Sequence, residues 1–232
     1  MIVFDGVSLE SAAPVRVEDI RVSPIQYNPI ARPRAVRWGS EFVRMNGGTR
    51  TVTITFAIQE MNRTLRHQYL MALSAWAKTD KEYFLELPED PVRGLFCVCT
   101  AKPEPSARQW WEAKLRLVFT CFNNPFWTSK ATKSVECGTQ FNVLGDAPPI
   151  MRIERTVSAA VYSQAYGLDS NQMGFTTIPA GELVIDLNNE TAAVDGTSIM
   201  QYYAPSGTFL VPRTGIQTVV GTGTVKYKER WE

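Results

Sequence analysis

Apolar and polar residues alternate along most of the chain, which is the pattern of strands with one buried face. The clearest case is 51–60 (TVTITFAIQE), where every second residue from 52 to 58 is Val, Ile or Phe. Further strands are predicted at 15–22, 35–45, 94–100 and 114–122. We interpret Gly47-Gly48 as a hairpin turn before the 51–60 strand. The Pro-rich stretches 87–94 and 101–111 are interpreted as a turn and a loop.

One segment departs from the alternation and has apolar residues at helical spacing. It covers 63–78 (RTLRHQYLMALSAWAK) and predicts a helix about 24 Å long. Asn62 or Thr64 is suited to cap its start, and its apolar side should lie on the sheet. His67, the only histidine, falls away from that side and is interpreted as an exposed residue.

The second half of the chain also reads as strands, and no helix is predicted there. Residues 123–149 are rich in turn-forming residues, which places a domain boundary near 128–136. Turns are predicted at Asn188-Asn189 and Asp195-Gly196. Short strands at regular spacing indicate a sandwich or barrel, and they are predicted at 182–187, 190–196, 198–204, 207–212, 215–223 and 224–231.

The predicted fold is therefore mainly β and has two domains. Residues 1–130 form a β-sandwich-like domain with one α-helix, and 131–232 form a second β-sandwich. A chain of 232 residues is long enough to bury a core in each.

Composition and charge limit the classes of partner that are expected to bind this protein. The net charge is +1, and no apolar run approaches the roughly 20 residues of a membrane helix, so neither a membrane nor sequence-specific nucleic acid binding is predicted. The first ten residues lack the basic and apolar regions of a signal peptide, which predicts folding in the cytosol of the cell that makes the protein. Residues 1–130 carry a net charge of +4 and 131–232 carry −3, consistent with two units or with head-to-tail contact between copies.

Residue types suited to catalysis are scarce. A single histidine disfavours a Ser/His/Asp triad and excludes a His-based zinc site. The four cysteines are interpreted as reduced, structural residues. The acidic pairs Glu18-Asp19 and Glu89-Asp90 are interpreted as solvated charges. We expect no enzyme activity, no catalytic or metal site and no cofactor.

A basic stretch at 31–50 is the first candidate interaction site. Arginine and tryptophan are typical anchors of protein interfaces. The candidate intersubunit residues are Arg32, Arg34, Arg37, Trp38, Arg44 and Arg50. The sequence leaves three readings open, namely a solvated hairpin, a subunit contact, and a nucleic-acid or sugar-phosphate contact.

The uncharged string FTCFNNPFW, at 119–127, is the second candidate. Phe119 and Cys121 should share the core face of the strand that ends there. We predict that Phe122, Phe126 and Trp127 pack the domain linker against the first domain. A place in a subunit seam and an aromatic platform for sugars are the alternatives.

Several segments, taken in order, resemble the distal tail proteins of long-tailed (siphovirus-type) bacteriophages or prophages. The opening FDGVSL, the strand RTVTITFAIQ with its following helix, FLELPEDPVRGLFCVCT and LRLVFTCFNNPFW resemble the first domain of that family. GELVIDLNNETAAVDG and VKYKERW resemble its galectin-like second domain. There are two local departures from the family. GSEFVRMNGG stands where members often have Gly-Arg-Asp-Gly or similar, and Val92-Arg93-Gly94-Leu95 follows the Asp-Pro turn, where a tyrosine usually comes soon after.

The resemblance implies structural work in the virion, at the distal end of the tail. It implies a ring of copies, hexameric in the family, that joins the tail tube protein to the tail-tip or tail-associated protein. Tape measure and receptor-binding proteins are further expected partners. The alternative hypothesis is a carbohydrate-binding adhesion module built on the second domain.

Overall fold

The chain folds into two compact units, Met1–Trp127 (unit 1) and Thr128–Glu232 (unit 2). The computed structural model describes residues 1–33, 40–108, 112–168, 171–204 and 208–232, with the side chains of 28–47 and 102–111 outside that description. Strands dominate both units, so the predicted mainly β class is confirmed.

Unit 1 is built from antiparallel strands, one short helix and one long helix. Its elements are β1 (Val3–Phe4), β2 (Val7–Ser8), α1 (Leu9–Ala12), β3 (Val15–Val22), β4 (Gln26–Pro33), β5 (Ser40–Gln59), α2 (Arg63–Trp76), β6 (Tyr83–Leu87), β7 (Asp90–Arg108) and β8 (Glu112–Cys121). The next strand, β9 (Trp127–Ser129), contains the division between the units. The second half of β5 lies between β3 and β8. The strand β7 pairs first with β6 and then with β8.

The core of unit 1 follows the alternation seen in the sequence. Every second residue of β5 from Val52 to Ile58 is fully buried. An aromatic cluster lies next to them, with the Phe4 ring 5.0 Å from Phe119 and 5.6 Å from Trp76 between centroids. The apolar side chains of β5, β8, β6 and α2 therefore form one continuous core.

The long helix α2 joins this core through its C-terminal half. Asn62 caps its start, because the side-chain oxygen accepts from the backbone N–H groups of Thr64 (2.9 Å) and Leu65 (3.3 Å). Trp76 at its end donates from Nε1 to the Val7 carbonyl at 2.9 Å. The helix ends two residues before the predicted position, and His67 is exposed as predicted.

The predicted turn at Gly47-Gly48 is wrong. Both glycines lie inside β5, which runs unbroken from Ser40 to Gln59. A Cβ atom on Gly48 would come within 2.3 Å of Ile25 Cγ2 and 3.0 Å of the Gln26 carbonyl oxygen. A glycine is needed here for the close approach of the neighbouring chain, and not for a turn.

The predicted loop at 101–111 is wrong as far as Arg108, because β7 continues to that residue. Irregularities in its register with β8 fall between Ala101 and Glu104 and between Pro105 and Ala107. The prolines of this half therefore lie where the pairing with β8 is irregular, and a β-bulge is a position at which a strand tolerates a residue without an N–H group.

Unit 2 is a sandwich of two antiparallel sheets. Its elements are β10 (Lys133–Glu136), β11 (Gln140–Val143), β12 (Ala147–Val157), β13 (Val161–Leu168), β14 (Asn171–Ile178), β15 (Gly181–Asp186), β16 (Thr191–Val194), β17 (Thr197–Ser198), a 3₁₀ turn (Met200–Tyr202), β18 (Gly215–Val220) and β19 (Thr224–Trp231). One sheet has the order β10-β19-β12-β15-β16-β17 and the other β11-β18-β13-β14. Both sheets contribute to a single apolar core.

The structure agrees with the turns predicted for unit 2, but not with the strands predicted between 198 and 212. Asp195 and Gly196 have φ of +48° and +76°, as the tight turn between β16 and β17 requires. The predicted strand at 198–204 is wrong, because the chain there forms the 3₁₀ turn. The described residues of 207–212 form no strand, although Phe209 and Leu210 are buried.

Candidate functional site

The basic stretch lies on a long two-stranded hairpin of β4 and β5. Its register pairs Ile30 with Arg44, Arg32 with Glu41 and Pro33 with Ser40. Among the described strands, β4 pairs with β5 alone, and residues 40–49 of β5 pair only with β4. Residues 52–58 of β5 lie between β3 and β8. Ten residues of strand reach about 33 Å. Arg34, Arg37 and Trp38 lie outside the described residues, as do the side chains of Arg32 and Arg44.

The sixth candidate of this group, Arg50, lies at the base of the hairpin. It pairs with Cys121 of β8, and only 5% of its surface is exposed. A group of hydrogen bonds holds the chain beside it, because the Thr51 N–H donates to Ser23 Oγ (2.9 Å) and the Ser23 N–H donates to the Thr51 carbonyl (2.8 Å). Arg50 is thus an interior residue of unit 1, and its place in a subunit contact stays a prediction.

The turn after β8 is held by one carboxylate. Glu82 Oε1 accepts from the backbone N–H groups of Phe122 (2.7 Å) and Asn123 (2.9 Å). Glu82 Oε2 accepts from Asn123 Nδ2 at 3.2 Å. The Asn-Asn-Pro break therefore leaves the sheet in a fixed direction, set by a residue that the sequence analysis did not single out.

The aromatic residues of the same string have different surroundings. Phe119 and Cys121 are fully buried in the core, as predicted. Trp127 is half-buried and packs against the core of unit 1, whereas Phe122 is 52% exposed. Phe126 has intermediate exposure. Of the predicted linker residues, Trp127 has the packing contact that this role requires.

Among solved structures, the fold of this chain matches the crystal structure of SPP1 Dit (gp 19.1), which is described as a paradigm of the hub adsorption apparatus in phages that infect Gram-positive bacteria. The TM-score is 0.73 at 14% sequence identity, over 100% of this chain and 98% of that chain. This chain has the Dit fold. The sequence itself matches no protein-family model, and it matches none of the curated proteins.

The phage p2 baseplate in its activated conformation, with Sr or with Ca, aligns less well. The TM-score is 0.46 at 8% identity, over 96% of this chain and 92% of that chain. The likeness to SPP1 Dit is one of fold, and at that level it confirms the predicted resemblance to the distal tail proteins.

A second polar network lies at the beginning of unit 2. Glu229 is 4% exposed, and its Oε1 accepts from Lys133 Nζ (2.7 Å) and from the Leu144 N–H (2.9 Å). The Glu229 N–H donates to Ser129 Oγ at 3.1 Å. The carboxylate and the backbone N–H of Glu229 together join β19 to residues 85 to 100 positions earlier in the sequence. This network could not be found from the sequence, because the strand register sets the partners.

The four cysteines are all free thiols. Cys97, Cys99 and Cys121 are buried, and Cys137 is half-buried. Burial, with a hydrogen bond to Cys121, raises the pKa of Cys97 well above its usual value. Burial and the nearby Glu136 raise the pKa of Cys137.

We expect the folded protein at pH 8 to react with a thiol reagent at Cys137 only, and more slowly than free cysteine does. Denaturant should expose all four cysteines of the sequence. Counting the thiols with and without denaturant measures this, and Cys137→Ser should abolish the reaction of the folded protein. Rapid reaction of two or more thiols without denaturant would contradict the burial.

The described residues contain no candidate metal site. Within them, no group of three or more His, Cys, Asp or Glu side chains is arranged to hold a metal ion. None of the described helices combines the length and apolarity that crossing a membrane takes.

Proposed function

We propose that the protein is a structural hub at the distal end of a bacteriophage tail. The match to SPP1 Dit over the whole chain supports this most strongly, because it includes both units and their order. The proposed role is structural and not enzymatic.

In this proposal unit 1 forms a homo-oligomeric ring, with six copies as in the family that the sequence resembles. One face of the ring holds the tail tube protein and the other holds the tail-tip or tail-associated protein. Tape measure and receptor-binding proteins are the further partners. Unit 2 is a galectin-like domain and offers these partners a binding surface in addition to the faces of the ring. Assembly takes place in the bacterial cytoplasm.

The β4–β5 hairpin is the proposed seam of the ring. An isolated two-stranded hairpin is marginally stable in water, so a long one gains stability by pairing or packing against another chain. Its arginines suit such a contact because guanidinium groups bind carboxylates in a planar, two-pronged arrangement. The proposed seam residues are Arg32, Arg34, Arg37, Trp38 and Arg44.

The mass of the purified protein in solution, with negative-stain images, tests this proposal. Light scattering should give a mass near six copies, and the images should show ring-shaped particles. A monomer at every soluble concentration, both alone and with the tail tube protein, would overturn the ring.

Removing the hairpin should produce folded monomers. Gln26 and Thr49 are opposite each other in the register, so an Asn-Gly turn can join them in place of residues 27–48. The second half of β5 keeps its pairing with β3 and β8, and cooperative unfolding of the variant should be retained. Light scattering and thermal unfolding measure the two outcomes.

A charge-matched pair of variants separates the seam from general charge effects. Arg32→Gln with Arg44→Gln should weaken assembly. Arg16→Gln with Arg21→Gln removes the same charge from exposed residues of β3, which form surface ion pairs, and should leave assembly unchanged. Equal effects of the two pairs would exclude the hairpin as the seam.

A further inference from the structure

Two buried cysteines lie opposite each other on neighbouring strands of unit 1. The register of β7 with β8 pairs Val98 with Thr120. One step further along this register, Cys97 lies opposite Cys121, the last residue of β8. Both cysteines are fully buried and belong to the core of unit 1. The two thiols therefore meet inside the protein, on the same face of the sheet.

The contact between these two thiols is direct. The side chain of Cys97 makes a hydrogen bond with that of Cys121. Residues opposite each other in an antiparallel pair have Cα atoms about 4.5 or 5.5 Å apart, depending on whether they exchange backbone hydrogen bonds. Both spacings fall within the range of about 4.4–6.8 Å that a disulfide bond spans. The pair can therefore be joined without a shift of either strand.

A third cysteine lies next to this pair but has different partners. Cys99 is two residues from Cys97 on β7 and is also buried. Its partner in the register is Phe119, and its Sγ donates to the Ala101 carbonyl oxygen at 3.2 Å. Cys99 is thus a thiol of similar burial that has no cysteine opposite it, which makes it an internal control.

The pair lies at the point where the chain leaves the sheet after β8. Cys121 ends that strand, and the Glu82 carboxylate accepts from the N–H of the next residue, Phe122, at 2.7 Å. Cys97 pairs with Tyr83 of β6, the residue that follows Glu82. A covalent bond between the two cysteines would fix the end of β8 to β7 beside this turn.

We infer that Cys97 and Cys121 form an oxidation site, at which a peroxide creates a disulfide bond between β7 and β8. In the first step one thiol attacks hydrogen peroxide, the O–O bond breaks, and a sulfenic acid and one water are formed. In the second step the other thiol attacks that sulfur, the S–S bond forms, the S–O bond breaks and a second water leaves. Two thiols are oxidised, one peroxide is reduced, and both thiol hydrogens end in water.

Burial makes this reaction slow in the folded protein. The thiolate is the reactive form, and burial raises the pKa of Cys97, so little thiolate is present at neutral pH. Oxidation therefore takes place when the end of β8 opens locally. In the proposed function the chain leaves the reducing cytosol with the virion, and oxidation would follow that release. This timing rests on the proposed function, whereas the bond itself rests on unit 1 alone.

Oxidation of the full chain carrying Cys137→Ser tests the site, because only the three buried thiols then remain. The protein is incubated with hydrogen peroxide at pH 8, in buffer alone and at a urea concentration just below the unfolding transition. The remaining thiols are then blocked in strong denaturant and counted by intact mass. We expect the count to fall from three to one, and dithiothreitol should restore it to three.

Peptide mapping with matched variants identifies the partners. No Lys or Arg separates Cys97 from Cys99, so both lie in one tryptic peptide, which should be linked to the peptide that contains Cys121. Cys99→Ala should leave this link intact, and Cys97→Ala should abolish it. Three remaining thiols in both conditions overturn the inference, as does a loss of thiols without a linked peptide. A link that Cys99→Ala abolishes and Cys97→Ala retains also overturns it.

The bond should stabilise unit 1 against unfolding. It closes a loop of residues 97–121, which lowers the conformational entropy of the unfolded chain. The midpoint of urea unfolding, followed by tryptophan fluorescence, should rise by about 1 M on oxidation and return after dithiothreitol. Cys97→Ala treated with the same peroxide should show no rise, which controls for oxidation of methionine. A lower midpoint of the linked protein would show that the bond strains the strand pair, and it would overturn the inference.

Discussion

Phe119→Ala is expected to lower the free energy of unfolding of unit 1 by about 3–5 kcal/mol. Phe119 is fully buried, and its ring lies 5.0 Å from Phe4 and 6.0 Å from Trp76 between centroids. The neighbours are held by the strands and by α2, so they cannot close the cavity that the ring leaves. Urea unfolding followed by tryptophan fluorescence measures the loss, because five of the six tryptophans precede residue 128.

Phe122→Ala is the matched control from the same string of sequence. Its side chain is 52% exposed, and we expect a change of less than about 0.5 kcal/mol in the free energy of unfolding. Comparable losses at the two positions would show that Phe122 packs against the protein in solution, as the linker hypothesis requires. Comparable small effects would contradict the core position of Phe119.

Glu229→Ala is expected to destabilise unit 2 by about 2–3 kcal/mol, because it leaves the Leu144 N–H and Lys133 without their shared acceptor. The estimate is below that of a fully buried ion pair, since the Lys133 side chain is 44% exposed. Calorimetry of the full chain measures this loss. Because Phe119 lies in unit 1, the unfolding transition that Phe119→Ala leaves unchanged belongs to unit 2.

Two further variants separate charge from hydrogen bonding at this position. Glu229→Gln keeps an acceptor for the Leu144 N–H and should recover part of the loss. Glu182→Ala removes a carboxylate that accepts one exposed hydrogen bond from Thr156, and it should have little effect. If Glu229→Ala unfolds at the same temperature as the unaltered chain, the network does not stabilise unit 2.

Strands in which apolar and polar residues alternate strictly could be predicted from the sequence. Strands that lack this alternation could not. Residues 51–60 predict their own buried face, which the structure confirms. The continuity of β5 through Gly47-Gly48 could not be predicted, because two consecutive glycines indicate a turn unless the close approach of Ile25 is known. The prolines of β7 indicated a loop in the same way, and only the irregular register with β8 shows how a strand accommodates them.

The candidate sites show a similar division. The sequence indicated the hairpin and the exit after β8, but not Glu82, which lies forty residues before its partner Phe122. The partners of Glu229 could not be predicted either, because Lys133 and Leu144 reach its carboxylate only through the pairing of the strands. The roles assigned to 1–130 as a ring domain and 131–232 as a galectin-like domain stay predictions.

The continuity of β5 determines how the hairpin responds to force. Hydrogen bonds between antiparallel strands run perpendicular to the strands. A pull along the hairpin therefore acts in shear on all the bonds that residues 50–59 form with β8, together with those to β3. Hydrogen bonds loaded in shear break together, whereas hydrogen bonds loaded from one end of the strand break one after another. The central sheet of unit 1 therefore resists a pull on the hairpin as one unit, and the hairpin can carry load from a bound partner into the core.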